Sequence, residues 1–379
     1  MPDSTYSRFS QTLPRLKGLA ILMVVTYHLW GYTRGYLNWA QILEQAQRQG
    51  VKGWLEAIAN FACLLGEQGV HFFLIASGFG LAASWWRQNQ AGKPFRAVTF
   101  WRRRVLRLLP LYWVAHGLAI ALFFLNPAWI PFGSEIWTQG TGSIAFAIFA
   151  SLTTLRNFLI QNYSFLNGAW WYVGLSIQLY LIFPVLIWIG RRWSWSVLLS
   201  GALGVSLIYR SLVVLSSGML EPRIVEVLLK GAFFPSRLFE FVFGMILAVS
   251  LLESRPVFLL KSRWLPFTAG LWIFGLVCDG LASTGQLAFS IPADALIGVG
   301  ELCVFYQLLS FKLPSLNFLG DYSYGIFLTH MNFYVPAWMI TTRIIPNYWI
   351  RFVAVTLVTC GLGYLFEWSY RRLQRKGTA

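Results

Sequence analysis

Charge is what this sequence of 379 residues has least of: Asp, Glu, Lys and Arg together make up 12% of it. A soluble domain carries roughly 25% charged residues, so about half the usual complement is missing. Hydrophobic residues account for 57%, and a soluble globular fold is excluded. Acid is the scarcer sign, with 14 Asp and Glu against 30 Lys and Arg. Cysteine and histidine are few, four of each. Cys63, Cys278, Cys303 and Cys360 are scattered through apolar runs, at spacings that suit neither a zinc site nor a disulfide framework. They read as buried structural thiols, and no metal or resident cofactor is expected. Alternating polar and apolar patterning is missing over most of the chain, which excludes a barrel and leaves helices to satisfy the backbone in lipid.

What fills the chain instead is long apolar runs, at 18–33, 105–125, 171–189, 232–252 and 352–366, most of them near the length that crosses a hydrocarbon core. Arg8, Arg15 and Lys17 precede the first run as in a signal peptide, but Trp30-Gly31-Tyr32-Thr33-Arg34 is no cleavage site, so an uncleaved first span is predicted. The net charge of +16 does not point to nucleic acid, because the basic residues collect in short stretches beside the apolar runs. That is the positive-inside pattern. Residues 87–107 hold seven basic residues and no acid, and with the basic tail they predict a cytoplasmic face. Helical segments are marked near 17–33, 69–86, 105–125, 143–160, 169–189, 195–215, 232–252, 264–281, 292–311, 319–341 and 349–369. Dropping 143–160, which Thr153, Thr154, Arg156 and Asn157 interrupt, brings Arg191, Arg192, Arg255, Lys261 and Arg263 to the same side. The expectation is an all-α polytopic membrane protein, one domain over 1–379. It has about ten transmembrane helices and a re-entrant or interfacial helix near 143–160. Short tails at 1–15 and 370–379 put both termini in the cytoplasm.

Chemistry has to come from the bundle, since no loop exceeds about 45 residues. His28 lies inside the first span, where an ionisable group is costly and is usually paired or functional. Its imidazole suits general-base work, although a neutral core histidine satisfied by a hydroxyl fits the position as well. Arg103, Arg104 and Arg107 recur at helical spacing, and Arg107 already sits within the apolar run, deeper than an interfacial anchor needs. Guanidinium forks suit phosphate. Ser77 and Gly78 allow either close helix packing or a thin ligand between helices. Gln178, Arg237 with Glu240, Glu301, His330 and Glu367 are further polar groups at membrane depth, each more ordinary as a structural partner, together suggesting a polar interior.

In this order the features resemble the bacterial membrane acyltransferase family 3, which acylates glycans and lipopolysaccharide outside the cytoplasm. The matching stretches are Leu16–His28, Gly69–Phe79, Phe100–Trp113, Trp170–Pro184, Arg237–Gly244 and Leu319–His330. Any one is weak; six in sequence are specific, and they reach across residues 13 to 370. The chain departs from the family's pattern at Pro14, Lys17, His71 and Gln178, the last two where members often carry an acid. The resemblance implies transfer of an acyl group, acetyl first, from acyl-CoA as co-substrate to a hydroxyl of a glycan or lipid-linked saccharide. It makes His28 the essential base, Arg103, Arg104 and Arg107 the donor-binding groups, and Ser77 and Gly78 the acyl channel. Gln178, Arg237, Glu240 and His330 carry over as supporting residues. The expected partners are the acyl-CoA, the saccharide and the lipid bilayer of a bacterial cytoplasmic membrane. A glycan or acyl-group exporter without catalysis is the alternative, and an inert scaffold leaves His28 and Arg107 unexplained.

Overall fold

The structure, a computed structural model, describes residues 4–309 and 314–376. The extreme ends of the expected tails, 1–3 and 377–379, and the last two residues of segment 292–311 lie outside the described residues. The elements in order are α1 (Ser4–Arg34), α2 (Trp39–Leu64), α3 (Gly69–Gln90), α4 (Ala97–Leu125) and α5 (Thr141–Leu152). There follow α6 (Trp171–Arg192), α7 (Trp195–Leu215), α8 (Pro222–Lys230), α9 (Leu238–Leu252) and α10 (Leu265–Ser283). The chain ends with α11 (Ser290–Leu308), α12 (Pro314–Asp321), α13 (Ser323–Thr341) and α14 (Tyr348–Lys376). No strand occurs among the described residues. The protein is an all-α polytopic membrane protein.

Eight helical segments among the described residues are long and apolar enough to cross a bilayer, including α3, α4, α6, α7, α9, α10, α11 and α14. Two more have the length, α1 with 31 residues and α13 with 19, but polar side chains dilute them. Those two carry His28 and His330. They are the least lipid-like spans because they sit inside the bundle: α1 packs on α3, α12, α13 and α14.

The segment 143–160 does not cross. Its helix, α5, is 12 residues long, about 18 Å at roughly 1.5 Å per residue and well short of a hydrocarbon core. The arginine that interrupts it is a staple. Arg156 is fully buried and donates to the carbonyls of Tyr163 and Asn167 and to the Ser151 hydroxyl. Residues 34–68, read from sequence as a loop, hold the two-part helix α2, broken where Gly50 takes φ 61°. One stripe of it is buried, Ile42, Ala46, Ala57 and Asn60, and the Asn60 side-chain oxygen accepts from Trp30 Nε1 at 2.9 Å.

Without water between helices, the bundle is held by close backbone approach at small residues and by polar side chains. A methyl on Gly78 would lie 1.9 Å from the Phe241 carbonyl oxygen, and one on Gly244 would lie 2.1 Å from that of Ile75. Each glycine of the α3–α9 pair thus receives the other helix's backbone. The α1–α12 contact repeats the device: a methyl on Gly18 would meet the Leu316 carbonyl oxygen at 1.9 Å, and one on Gly320 that of Pro14 at 1.8 Å.

Candidate active site

His28 lies two turns before the end of α1. Its Nδ1 is 3.2 Å from the Tyr36 hydroxyl, and its ring centroid is 5.2 Å from that of His330 on α13. The Tyr36 contact depends on a chain reversal. Gly35 takes φ 81° and Tyr36 itself φ 54°, the left-handed region that a tyrosine seldom occupies. The reversal folds the Tyr36 ring back over Gly31, where a methyl would lie 2.0 Å from a ring carbon. Strain of this kind persists where the surroundings over-determine it, and it collects at functional sites. His330 is fully buried. Its Nδ1 lies 2.7 Å from the Phe327 carbonyl oxygen. A carbonyl only accepts, so Nδ1 carries the proton and Nε2 the lone pair.

His28 and His330 line neither of the two cavities nearby, but contacts join them to a wall of each. The first, about 710 Å³, opens at the end where the basic stretches collect, and Lys17, Arg104, Arg107, Arg371, Ser77 and Tyr172 are among its walls. The second, about 670 Å³, opens at the opposite end, with Tyr27, Tyr36, Trp39, Lys230 and Asp279 among its walls. Ring contacts run from one to the other. Tyr172 of the basic cavity meets Phe327 at 5.5 Å, Phe327 meets His330 at 5.9 Å, and His28 reaches the far cavity through Tyr36. Lys17 and His28 are eleven residues apart on α1, nearly one face, and about 16 Å along the axis at roughly 1.5 Å per residue.

Of the three arginines expected to bind a donor, Arg104 and Arg107 line the basic cavity. Arg103 does not. It is exposed, as Arg107 also is, but the positions of α4 that line the cavity are 104, 106, 107, 108 and 111. Lys17 takes part instead, and so does Arg371. The Arg371 guanidinium is held by Glu367 Oε1 at 2.5 and 3.0 Å and by the Asp321 carbonyl at 2.7 Å. Glu367 Oε2 also accepts from the Gly325 backbone at 2.6 Å. Ser77 is on the cavity wall, 3.1 Å from the Tyr180 hydroxyl. Gly78, expected beside it in an acyl channel, faces the other way, against the Phe241 backbone; its smallness serves helix packing.

The supporting residues sort similarly. Gln178 donates to the Ala232 carbonyl at 2.9 Å and accepts from the Phe234 amide at 3.0 Å, so it braces the turn before α9. Arg237 pairs with Glu240 at 3.3 Å and with Asp294 at 2.9 Å. Arg210 also binds Asp294. His71 completes the cluster, with Nδ1 3.2 Å from Glu240 and Nε2 3.0 Å from Gln68 Oε1. The cluster forms a wall of the far cavity through Arg210, Arg237 and Asp294. Glu301 lines neither cavity.

Tyr36, Arg371, Arg210 and Asp294 were not singled out from sequence. Arg210 and Asp294 sit inside apolar runs, which was a signal, but they are 84 residues apart and nothing local pairs them. No group of three or more His, Cys, Asp or Glu among the described residues is arranged to hold a metal ion.

A family model described as Acyltransferase domain matches residues 14–368. The chain is 26% identical over 296 residues to the Exopolysaccharide production protein ExoZ of Rhizobium meliloti (strain 1021), covering 70% of this chain and 76% of that protein. It is also 32% identical over 131 residues to the Regulator of hypoxia-inducible factor 1 of Caenorhabditis elegans, which is 34% of this chain and 24% of that one. No solved structure matches. With the family model reaching across nearly all of a helical bundle that brings two histidines together at its centre, the chain belongs to acyltransferase family 3, and it is a membrane acyltransferase.

Proposed function

We propose that the protein transfers an acyl group, acetyl first, from acyl-CoA to a hydroxyl of a glycan or lipid-linked saccharide. The observation that carries this is the contact chain through His28, which meets Tyr36 on the wall of one cavity and is joined by the rings of His330 and Phe327 to Tyr172 on the wall of the other. The basic cavity offers guanidinium groups suited to the phosphates of coenzyme A, and Arg104 and Arg107 are their ligands, with Lys17 and Arg371 beside them. Its basic surroundings make it the cytoplasmic mouth, where acyl-CoA is supplied, and both termini lie on that side. The extended pantetheine arm then carries the thioester past Ser77 and Tyr172 toward His28.

The saccharide enters the far cavity. With His28 Nδ1–H donated to the Tyr36 phenol oxygen, Nε2 holds the lone pair and takes the proton of the attacking hydroxyl. The hydroxyl oxygen adds to the thioester carbonyl, the tetrahedral intermediate collapses, and the C–S bond breaks. The leaving thiolate takes a proton, so the products are the ester and free coenzyme A. Tyr36 positions the imidazole, the task an acid performs for histidine in other enzymes. Attack by the imidazole itself, through an acyl-histidine, uses the same geometry and differs in leaving a labelled protein when acceptor is withheld. The exopolysaccharide relative supports a saccharide as the acceptor.

The full chain in lipid nanodiscs, given labelled acetyl-CoA and a glycan, should form ester and free thiol in equal amounts. If glycan crosses the membrane of a proteoliposome while acetyl-CoA is neither bound nor consumed, the protein is an exporter.

A further inference from the structure

The charged groups of the far cavity are already spoken for, with one exception. Its walls carry four acidic residues, Glu67, Glu226, Asp279 and Asp294, and three cations, Arg210, Lys230 and Arg237, so acids outnumber cations by one. Arg210 and Arg237 both close on Asp294. Lys230 lies 3.0 Å from Glu226 and 3.6 Å from Glu67. Arg237 also pairs with Glu240 and Arg223 with Glu226, so each cation of the walls has an acid of its own. Asp279 is the remaining acid: it makes no ion pair among the described residues, and Gln68 donates to it at a long 3.4 Å. Trp39, Tyr27 and Tyr36 line the same walls, aromatic groups of the kind that combine an apolar ring with a polar handle.

We infer that the far cavity takes a saccharide unit free of carboxylate and phosphate, a neutral or amine-bearing sugar, with Asp279 accepting from its hydroxyl or ammonium group. This rests on the acyl-transfer reading only in calling that saccharide the acceptor. A uronate or sugar phosphate would meet carboxylates whose cations are committed elsewhere, and like charges brought together across an interface disfavour binding. A neutral sugar meets no such cost and supplies the donors that an unpaired carboxylate lacks. The acceptor is thus selected against negative charge at one mouth, while the donor is selected for it at the other.

The test is binding, read separately from turnover. The full chain in nanodiscs would be titrated with a glucose tetrasaccharide, its glucosamine counterpart and its glucuronate counterpart. The neutral and amine forms should bind at least about tenfold tighter than the glucuronate form. Asp279→Asn should weaken the amine form most, by roughly tenfold, the worth of one charge-assisted hydrogen bond. It should leave the melting temperature and acetyl-CoA binding unchanged. Asp279→Lys should narrow or reverse the preference. Binding of glucuronate as tight as glucose, binding of none of the three, or an Asp279→Asn chain with unaltered affinities overturns the inference. Tight neutral-sugar binding with no ester formed from acetyl-CoA instead sinks the catalytic reading and leaves this one standing.

Discussion

The two cavities of this protein use charge in opposite ways. At the basic mouth Lys17, Arg104, Arg107 and Arg371 face only Asp321 and Glu367 among the described walls, and Glu367 is committed to Arg371. Positive charge there is left in surplus, available to a ligand. At the far mouth the cations are consumed by the protein's own acids. A net charge of +16 therefore says little about either site. What matters is which charges the fold has already paired, and a buried pair is neither a ligand site nor strong evidence of stability.

Substitutions can break or sharpen that contrast. The largest effect belongs to the proposed base, which lines neither cavity: His28→Ala should lower the transfer rate by about 10²- to 10⁴-fold, the range for loss of a general base, with acetyl-CoA binding preserved in a direct titration. Undiminished transfer by that variant would refute the assignment. Next, Arg107→Ala should raise the Michaelis constant for acetyl-CoA by roughly 10- to 100-fold, from losing a hydrogen bond to a charged group. Its acceptor constant should not move, and a change there instead would mean that the two mouths are not separate sites. Tyr36→Phe removes the hydroxyl on His28 while keeping the ring over Gly31, so about tenfold should be lost from the rate constant and little from either Michaelis constant. A variant altered only in acceptor affinity would make Tyr36 a wall of the cavity and no more. Smallest of all, Arg103→Ala should change donor affinity by less than about twofold, because it lies off the cavity wall and its charge is screened by water and salt. An effect equal to that of Arg107→Ala would show that the donor's phosphates extend beyond the cavity onto the open face of α4.

Much of the architecture was legible in the sequence because bilayer thickness and basic residues act over short stretches. The failure of 143–160 to cross could be read from Arg156 and its polar neighbours, though not the carbonyls they bind. The helix α2 was missed because its buried stripe is interrupted at Gly50 and resembles a loop in hydropathy. At the site, Arg104 and Arg107 stood out, but helical spacing cannot say which side of α4 turns inward, and Arg103 was grouped with them. Ser77 and Gly78 had the same two readings on sequence, and structure divides them: one faces the cavity, the other the neighbouring helix. Tyr36 was invisible, since its place on His28 comes from a left-handed backbone that no side-chain pattern announces. The cluster of Arg210, Arg237, Glu240, Asp294 and His71 spans four helices, and only its i,i+3 pair, Arg237 and Glu240, is local enough to read.

The reciprocal fit of Gly78 on Phe241 and Gly244 on Ile75 has a mechanical consequence. Two backbones in contact at both ends of such an exchange cannot slide along one another without collision, so α3 and α9 act as a single stiff beam. That beam bears Ser77 in the basic cavity, and His71 and Glu240 beside the far one. Any widening that admits an acyl chain must then come from the helices across from it, α6 and α13, whose Tyr172 and Phe327 rings touch at 5.5 Å and have no such interlock between them.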